Sequence, residues 1–108
     1  LEPLTDYSRF KVECEKILAE YQCDDFTTVT IRPATVCGYS PRMRLDVSVN
    51  MLTMQALTKG VITVFGGKQV RPNIHMEDIT NVYLHMIDNK EGIQGIYNAG
   101  FENISIML

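Results

Sequence analysis

With 108 residues, 45% of them hydrophobic and 21% charged, the chain has the make-up of a globular protein with one modest core, not of a disordered segment. A net charge of −3, with both signs interspersed, offers no basic surface for nucleic acid or for an anionic membrane. No apolar run approaches the ~20 residues of a membrane span, and Leu1-Glu2-Pro3-Leu4 is not a secretory signal. Cys14, Cys23 and Cys37 are odd in number and lack CxxC spacing, so neither a disulfide framework nor a zinc site is indicated, and a reducing, cytoplasmic location is expected.

The chain opens on a loop-like segment, Leu1 to Asp6, and stops at Ser105-Ile106-Met107-Leu108 where an apolar pattern is starting, so a fragment of a longer chain is expected. Phe10, Cys14, Ile17, Leu18 and Tyr21 share one helical face and Arg9, Glu13, Lys16 and Glu20 the other, with Thr5 or Asp6 as cap. Asp24-Asp25 break that pattern. Thr27 to Ile31 is a β-branched run that reads as a buried strand ended by Pro33, and Cys37 to Arg44 reads as an irregular loop. A second helix is expected from near Asp46 to Lys59, stopped by Gly60. Val61 to Phe65 alternates like a strand, Gly66-Gly67 turn the chain, and Gln69 to Ile74 returns as a further extended segment. Ile79, Val82, Tyr83, Met86 and Ile87 stripe a third helix, and Gly95 to Ala99 is a last strand. The order β-loop-α-β-β-α-β predicts an α/β architecture.

Among the five tyrosines, Tyr7 alone has a lysine four residues on, Lys11, and at a helix start the two side chains project from one face. A tyrosine serves as general acid or base when a fixed positive charge pulls its pKa down from about 10. On its own the pair is a commonplace of solvated helix faces.

The surroundings add weight. Tyr7-Ser8-Arg9-Phe10-Lys11, then Ile31-Arg32-Pro33-Ala34-Thr35-Val36-Cys37-Gly38, then Gly66 to Asp78, then Gly95-Ile96-Tyr97-Asn98-Ala99-Gly100 stand in the order of four motifs of the extended short-chain dehydrogenase/reductase family, which the chain resembles along nearly its whole length. That resemblance implies the late part of a Rossmann-type doubly wound sheet plus a smaller substrate-binding lobe, without the N-terminal dinucleotide-binding half. Residues 1–38 would be the catalytic helix and following strand, and residues 39–108 mostly the substrate-binding lobe with returning Rossmann elements.

The resemblance also implies roles. Tyr7 would exchange a proton with a sugar hydroxyl, and Lys11 would hold the nicotinamide ribose. Ala34 and Val36 match positions bordering the nicotinamide of NAD, with NADP the other possible cofactor. Thr35, Asn50 and Arg71 match substrate contacts, Arg71 as the clamp on a nucleotide diphosphate. Cys37 and Tyr39 depart from the family's usual Tyr and Pro. His75 takes a structural part before the third helix and Asp78 serves that helix's start, while Arg42 and Arg44, in the variable loop, are expected to be solvated, with a place facing substrate the alternative. No G-x-G-x-x-G occurs in the 108 residues, and the Ser/Thr of the catalytic trio precedes the tyrosine by more residues than stand here. By themselves these residues are therefore expected to be inactive and to hold NAD poorly. The implied parent is an NAD-dependent nucleotide-sugar epimerase or dehydratase, expected as a homodimer. The alternatives are a carbonyl reductase of the same fold, a non-catalytic nucleotide-binding module, and a structural fragment that pairs with a partner chain.

Overall fold

The computed structural model describes residues 5–106. The loop reading of residues 1–4 and the apolar pattern at residues 107–108 lie outside the described residues. Helix α1 (Asp6–Glu20) starts where Thr5 turns out of extended backbone and its Oγ1 accepts the Ser8 N–H at 3.2 Å. It runs through residues free of glycine and proline and closes at Tyr21, whose N–H reaches the Leu18 and Ala19 carbonyls. A small bridge between Cys23 and Phe26 turns the chain into strand β1 (Val29–Pro33). No residue of α1 is buried, and its Phe10 and Ile17 side chains, like that of Tyr21 beyond its end, are exposed.

Strand β1 pairs in parallel with β4 (Gly95–Ala99), Val29 opposite Gly95 and Pro33 opposite Ala99. Past Ala34 the chain stays extended as β2 (Thr35–Cys37) but changes partner. It joins a three-stranded sheet, parallel to β3 (Val70–His75), with β5 (Asn103–Ser105) antiparallel on the other side of β3. The two sheets meet where the segments around Ala34 and Gly100 cross. The Ala34 N–H donates to the Ala99 carbonyl at 2.7 Å, and the Phe101 N–H donates to the Asn73 carbonyl at 2.9 Å. A Cβ at Gly100 would sit 3.1 Å from that of Ala34, so the crossing needs glycine for close approach.

Helix α3 (Met76–Asp88) covers this crossing. Its Ile79 forms the buried core with Ile74 and Ala99, and Ile31, Ala34, Val36, Met76 and Val82 pack around them. His75 caps the helix, its Nδ1 accepting the Glu77 N–H at 3.3 Å, and Glu77 and Asp78 occupy the first turn, where carboxylates oppose the positive end of the helix. Helix α2 (Ser48–Lys59) ends as expected at Gly60, in the left-handed conformation with φ 66°.

The structure corrects two expectations about the middle of the chain. Val61 to Phe65 forms no strand, and Gly66-Gly67 make no hairpin. The Thr63 N–H bonds to the Gln55 side chain at 3.0 Å and the Phe65 carbonyl to the Gln69 amide at 2.8 Å, so side chains take backbone groups that a ladder would need. Gly66, at φ 79°, instead makes a three-residue turn closed by Gly67 N–H to Phe65 carbonyl. Thr35–Cys37, expected to lie beyond the strand end, is a strand of the second sheet.

Candidate functional site

Two groups of residues stand out. The first is on α1. Lys11 Nζ stands 5.6 Å from the centroid of the Tyr7 ring, as their spacing of one helical turn dictates. Tyr7 is 72% exposed, and neither the phenol oxygen nor the ammonium has a hydrogen-bond or ion-pair partner among the described residues. One further turn along the same stripe is Glu15. Its carboxylate receives both Nε and Nη2 of Arg32 on β1, the first at 2.9 Å. Those hydrogen bonds, and secondarily the guanidinium charge, hold the Glu15 carboxyl below its usual range against the opposing effect of desolvation, and they raise Arg32 in turn. Arg32 is two residues before Ala34, and with Ala34, Asn98, Gly100 and Asn103 it lines a groove at the carboxyl end of β1.

The second group surrounds the start of α2. Val47, at the cap position, has no side-chain oxygen to offer, and no acidic residue stands in the first turn. Among the described residues the first N–H groups therefore have no side-chain cap, which leaves the positive end of the helix dipole open. Ser48 and Val49 at this end share a groove with Arg71, Asn73 and Ile104. Arg71 makes no ion pair among the described residues. A guanidinium beside free helical N–H groups suits an anion with several oxygens, such as a diphosphate. Thr35, half-buried, lies in register with Asn73. Asn73 donates to the Arg71 carbonyl at 3.3 Å, while its buried Oδ1 has no partner among the described residues.

Asn50 stands in the first turn of α2 and is only 8% exposed. Its Oδ1 accepts the Gly38 N–H at 2.9 Å, and its Nδ2 donates to the Arg44 carbonyl at 2.9 Å. The amide thus spans the loop that follows β2. Gly38, at φ 112°, lets the loop pass so close to His75 that a Cβ would sit 2.8 Å from His75 Nε2. Arg44 pairs with Asp46 in solvent, holding that carboxyl below its usual range through hydrogen bonds from Arg44 and from backbone.

The structure therefore brings together Tyr7 with Lys11, and Arg71 with the start of α2, and sets Thr35 across from Asn73. Ala34 borders a groove, whereas the Val36 side chain packs against the core. Sequence reasoning missed the Glu15–Arg32 pair, whose only signal was a second step of four residues after Lys11, and missed Ser48, Val49 and Asn73. Among the described residues no group of three or more His, Cys, Asp or Glu could hold a metal ion, and no helix is long and apolar enough to cross a membrane.

Parallel strand pairs linked through helices define an α/β fold. The chain belongs to the NAD dependent epimerase/dehydratase family, whose profile matches residues 1–100. Among solved structures it is similar to UDP-glucuronic acid 4-epimerase from Bacillus cereus, in complex with UDP-glucuronic acid and NAD, at 29% identity and a TM-score of 0.76 over 97% of this chain and 34% of that one. Its fold also matches ADP-L-glycero-D-manno-heptose-6-epimerase from Helicobacter pylori, at 21% identity and a TM-score of 0.77 over 97% and 34%. A third match is TunA, an NAD dependent NDP-hexosamine 5,6-dehydratase involved in tunicamycin biosynthesis, at 24% identity and a TM-score of 0.77 over 98% and 35%. The chain spans about a third of the length of each of these structures.

Proposed function

We propose that this chain supplies the proton-transfer pair and the diphosphate clamp of an enzyme that binds NAD and epimerises or dehydrates a nucleotide-linked sugar. The observation that carries the reading is Arg71, unpaired among the described residues, in one groove with the uncapped start of α2. Such a groove neutralises a diphosphate without the protein having to break a pre-existing ion pair. Membership of the NAD dependent epimerase/dehydratase family supports the same chemistry.

The residues present fit the nicotinamide end of NAD. Lys11 offers an unpaired ammonium to ribose hydroxyls, Tyr7 an unpaired phenol, and Ala34 a side chain small enough for close approach at the strand end. When bound, NAD accepts and returns a hydride at a sugar carbon. Tyr7 would act as a phenolate held by the Lys11 ammonium, taking the proton of the hydroxyl on that carbon to become a neutral phenol and giving it back on re-reduction. Thr35 would offer its hydroxyl to the substrate. Asn50 would act by holding the loop over residues 38–44 in place. In domain terms residues 1–38 carry the proton chemistry and residues 39–108 mostly hold the sugar nucleotide.

The test is titration calorimetry with UDP and with ADP on the whole protein carrying this chain, wild type against Arg71→Ala. Loss of a charged hydrogen bond worth about 1.5–3 kcal/mol predicts roughly 10- to 100-fold weaker binding. An unchanged affinity for both nucleotides removes Arg71 and its groove from the substrate site.

A further inference from the structure

We propose that Glu15 and Arg32 form a positioning pair for the Tyr7–Lys11 site. Arg32 ties that face of α1 to the end of β1, and it keeps the Glu15 carboxylate from drawing Lys11 away from Tyr7. The inference rests on the reading of Tyr7 and Lys11 given above.

Tyr7, Lys11 and Glu15 follow one another at four-residue steps and so form a single stripe along α1. Helix α1 buries none of its residues, so packing does little to fix its rotation. Its other ion pairs, Asp6 with Arg9 and Glu13 with Lys16, are internal to the helix. Among the described residues only the Glu15 pair crosses from α1 to another element. Gln22, beyond the helix, bonds to Thr28 and holds the far end. The tie nearest the Tyr7–Lys11 end is thus a bidentate fork, which fixes direction as well as distance.

The second effect follows from what Glu15 can reach. At helical neighbour positions Glu15 faces Lys11, Val12, Leu18 and Ala19, so Lys11 is the one cation there. With both carboxylate oxygens on Arg32, no acceptor on the helix competes for the ammonium, and Lys11 lies over the Tyr7 ring. Removing the guanidinium frees a carboxylate one turn from Lys11.

The experiment compares Arg32→Gln, Glu15→Gln and the double variant in the whole protein that carries this chain. It reads turnover of a nucleotide sugar with NAD and, independently, the NMR signal of the 13C-labelled Lys11 methylene beside the ammonium. That methylene carries the ring-current shift of the Tyr7 ring, assigned with Tyr7→Ala. Arg32→Gln is expected to lower kcat about tenfold through misplacement of the reacting group, with KM within about twofold because the Arg71 groove is untouched. It also moves the lysine signal off the ring. The double variant, which has lost the tie but also the competing carboxylate, regains the lysine signal and about twofold in kcat over Arg32→Gln, a gap that closes as salt is added.

Unchanged kcat and lysine signal in Arg32→Gln overturn the proposal. So does an equal loss of thermal stability in all three variants with the lysine signal fixed, since that is the behaviour of a plain strut. If Tyr7→Phe keeps wild-type turnover, the enzymatic reading itself fails, and the lysine signal still decides whether the pair positions Lys11.

Discussion

Replacing Asn50 by alanine separates a structural tie from a ligand contact. The wild-type amide makes two hydrogen bonds of 2.9 Å, to the Gly38 N–H and the Arg44 carbonyl, from a side chain that is 8% exposed. Each contributes about 0.5–1.5 kcal/mol, and a half-buried Gly38 N–H left without acceptor raises the loss toward the upper end. Alanine recovers about 0.5 kcal/mol through its better helix propensity. The net expectation is a loss of about 2 kcal/mol in urea unfolding, with Gly38 amide exchange accelerated on the order of tenfold, since 1.4 kcal/mol is a factor of ten. Asn50→Asp keeps the acceptor for Gly38 and loses the donor to Arg44, so Gly38 stays protected while stability falls by about half as much. A stability change below about 0.5 kcal/mol in Asn50→Ala, with Gly38 exchange at the wild-type rate, would refute the reasoning and return the amide to the substrate.

Tyr7→Phe preserves the ring and removes the proton-transfer group, so turnover should fall by at least the 10²-fold typical of a lost acid/base group, with NAD affinity measured by calorimetry nearly unchanged. Turnover near wild type would assign the proton to another residue. Gly38→Ala puts a Cβ at φ 112° and 2.8 Å from His75 Nε2, so a loss of about 1–3 kcal/mol is expected from backbone strain alone, read by urea midpoint. A neutral result would mean the loop relaxes freely. The Glu15 carboxyl is lowered from its ordinary 4.5 by Arg32, so its contribution to stability is complete above that value and is lost as pH falls from about 4.5 through the folded-state value. Glu15→Gln should accordingly flatten the decline of the thermal midpoint over that acid range, and an unaltered slope would show that the pair contributes nothing.

Strong periodicity made the helices legible. The stripe from Ile79 to Ile87, the Gly60 stop and the run from Gly95 to Ala99 each left a pattern that only one local structure satisfies. Strands β2 and β5 span three residues each, too short to show a period, and their pairing comes from elements distant in sequence. Val61 to Phe65 has the alternation of a strand, but Gln55 and Gln69 capture its backbone, a competition that hydrophobic pattern does not register. Tyr7 and Lys11 could be found because their spacing is itself geometry. Arg71 drew notice by its motif, while Ser48 and Val49, which share its groove, carry no residue signature there. The Glu15–Arg32 pair joins elements 17 residues apart, so neither residue announces the other.

The crossing of strands at Ala34 and Gly100 has a consequence for how this chain reaches its folded state. Val29 pairs with Gly95 and Pro33 with Ala99, so the first sheet closes a loop that takes in α2, β3 and α3. The entropy of that closure must be met before the pairing returns anything, which slows formation of the first sheet. During synthesis, at about 5–20 residues per second, β1 emerges several seconds before β4, and its edge stands open meanwhile. Ile79 and Ile74 are close in sequence and can collapse early, whereas Ala99, their partner in the core, arrives last. A cell making this protein therefore leaves the β4-facing edge of β1 open for seconds, and slower synthesis between Pro33 and Ala99 should lengthen that edge's exposure to chaperones and to other copies.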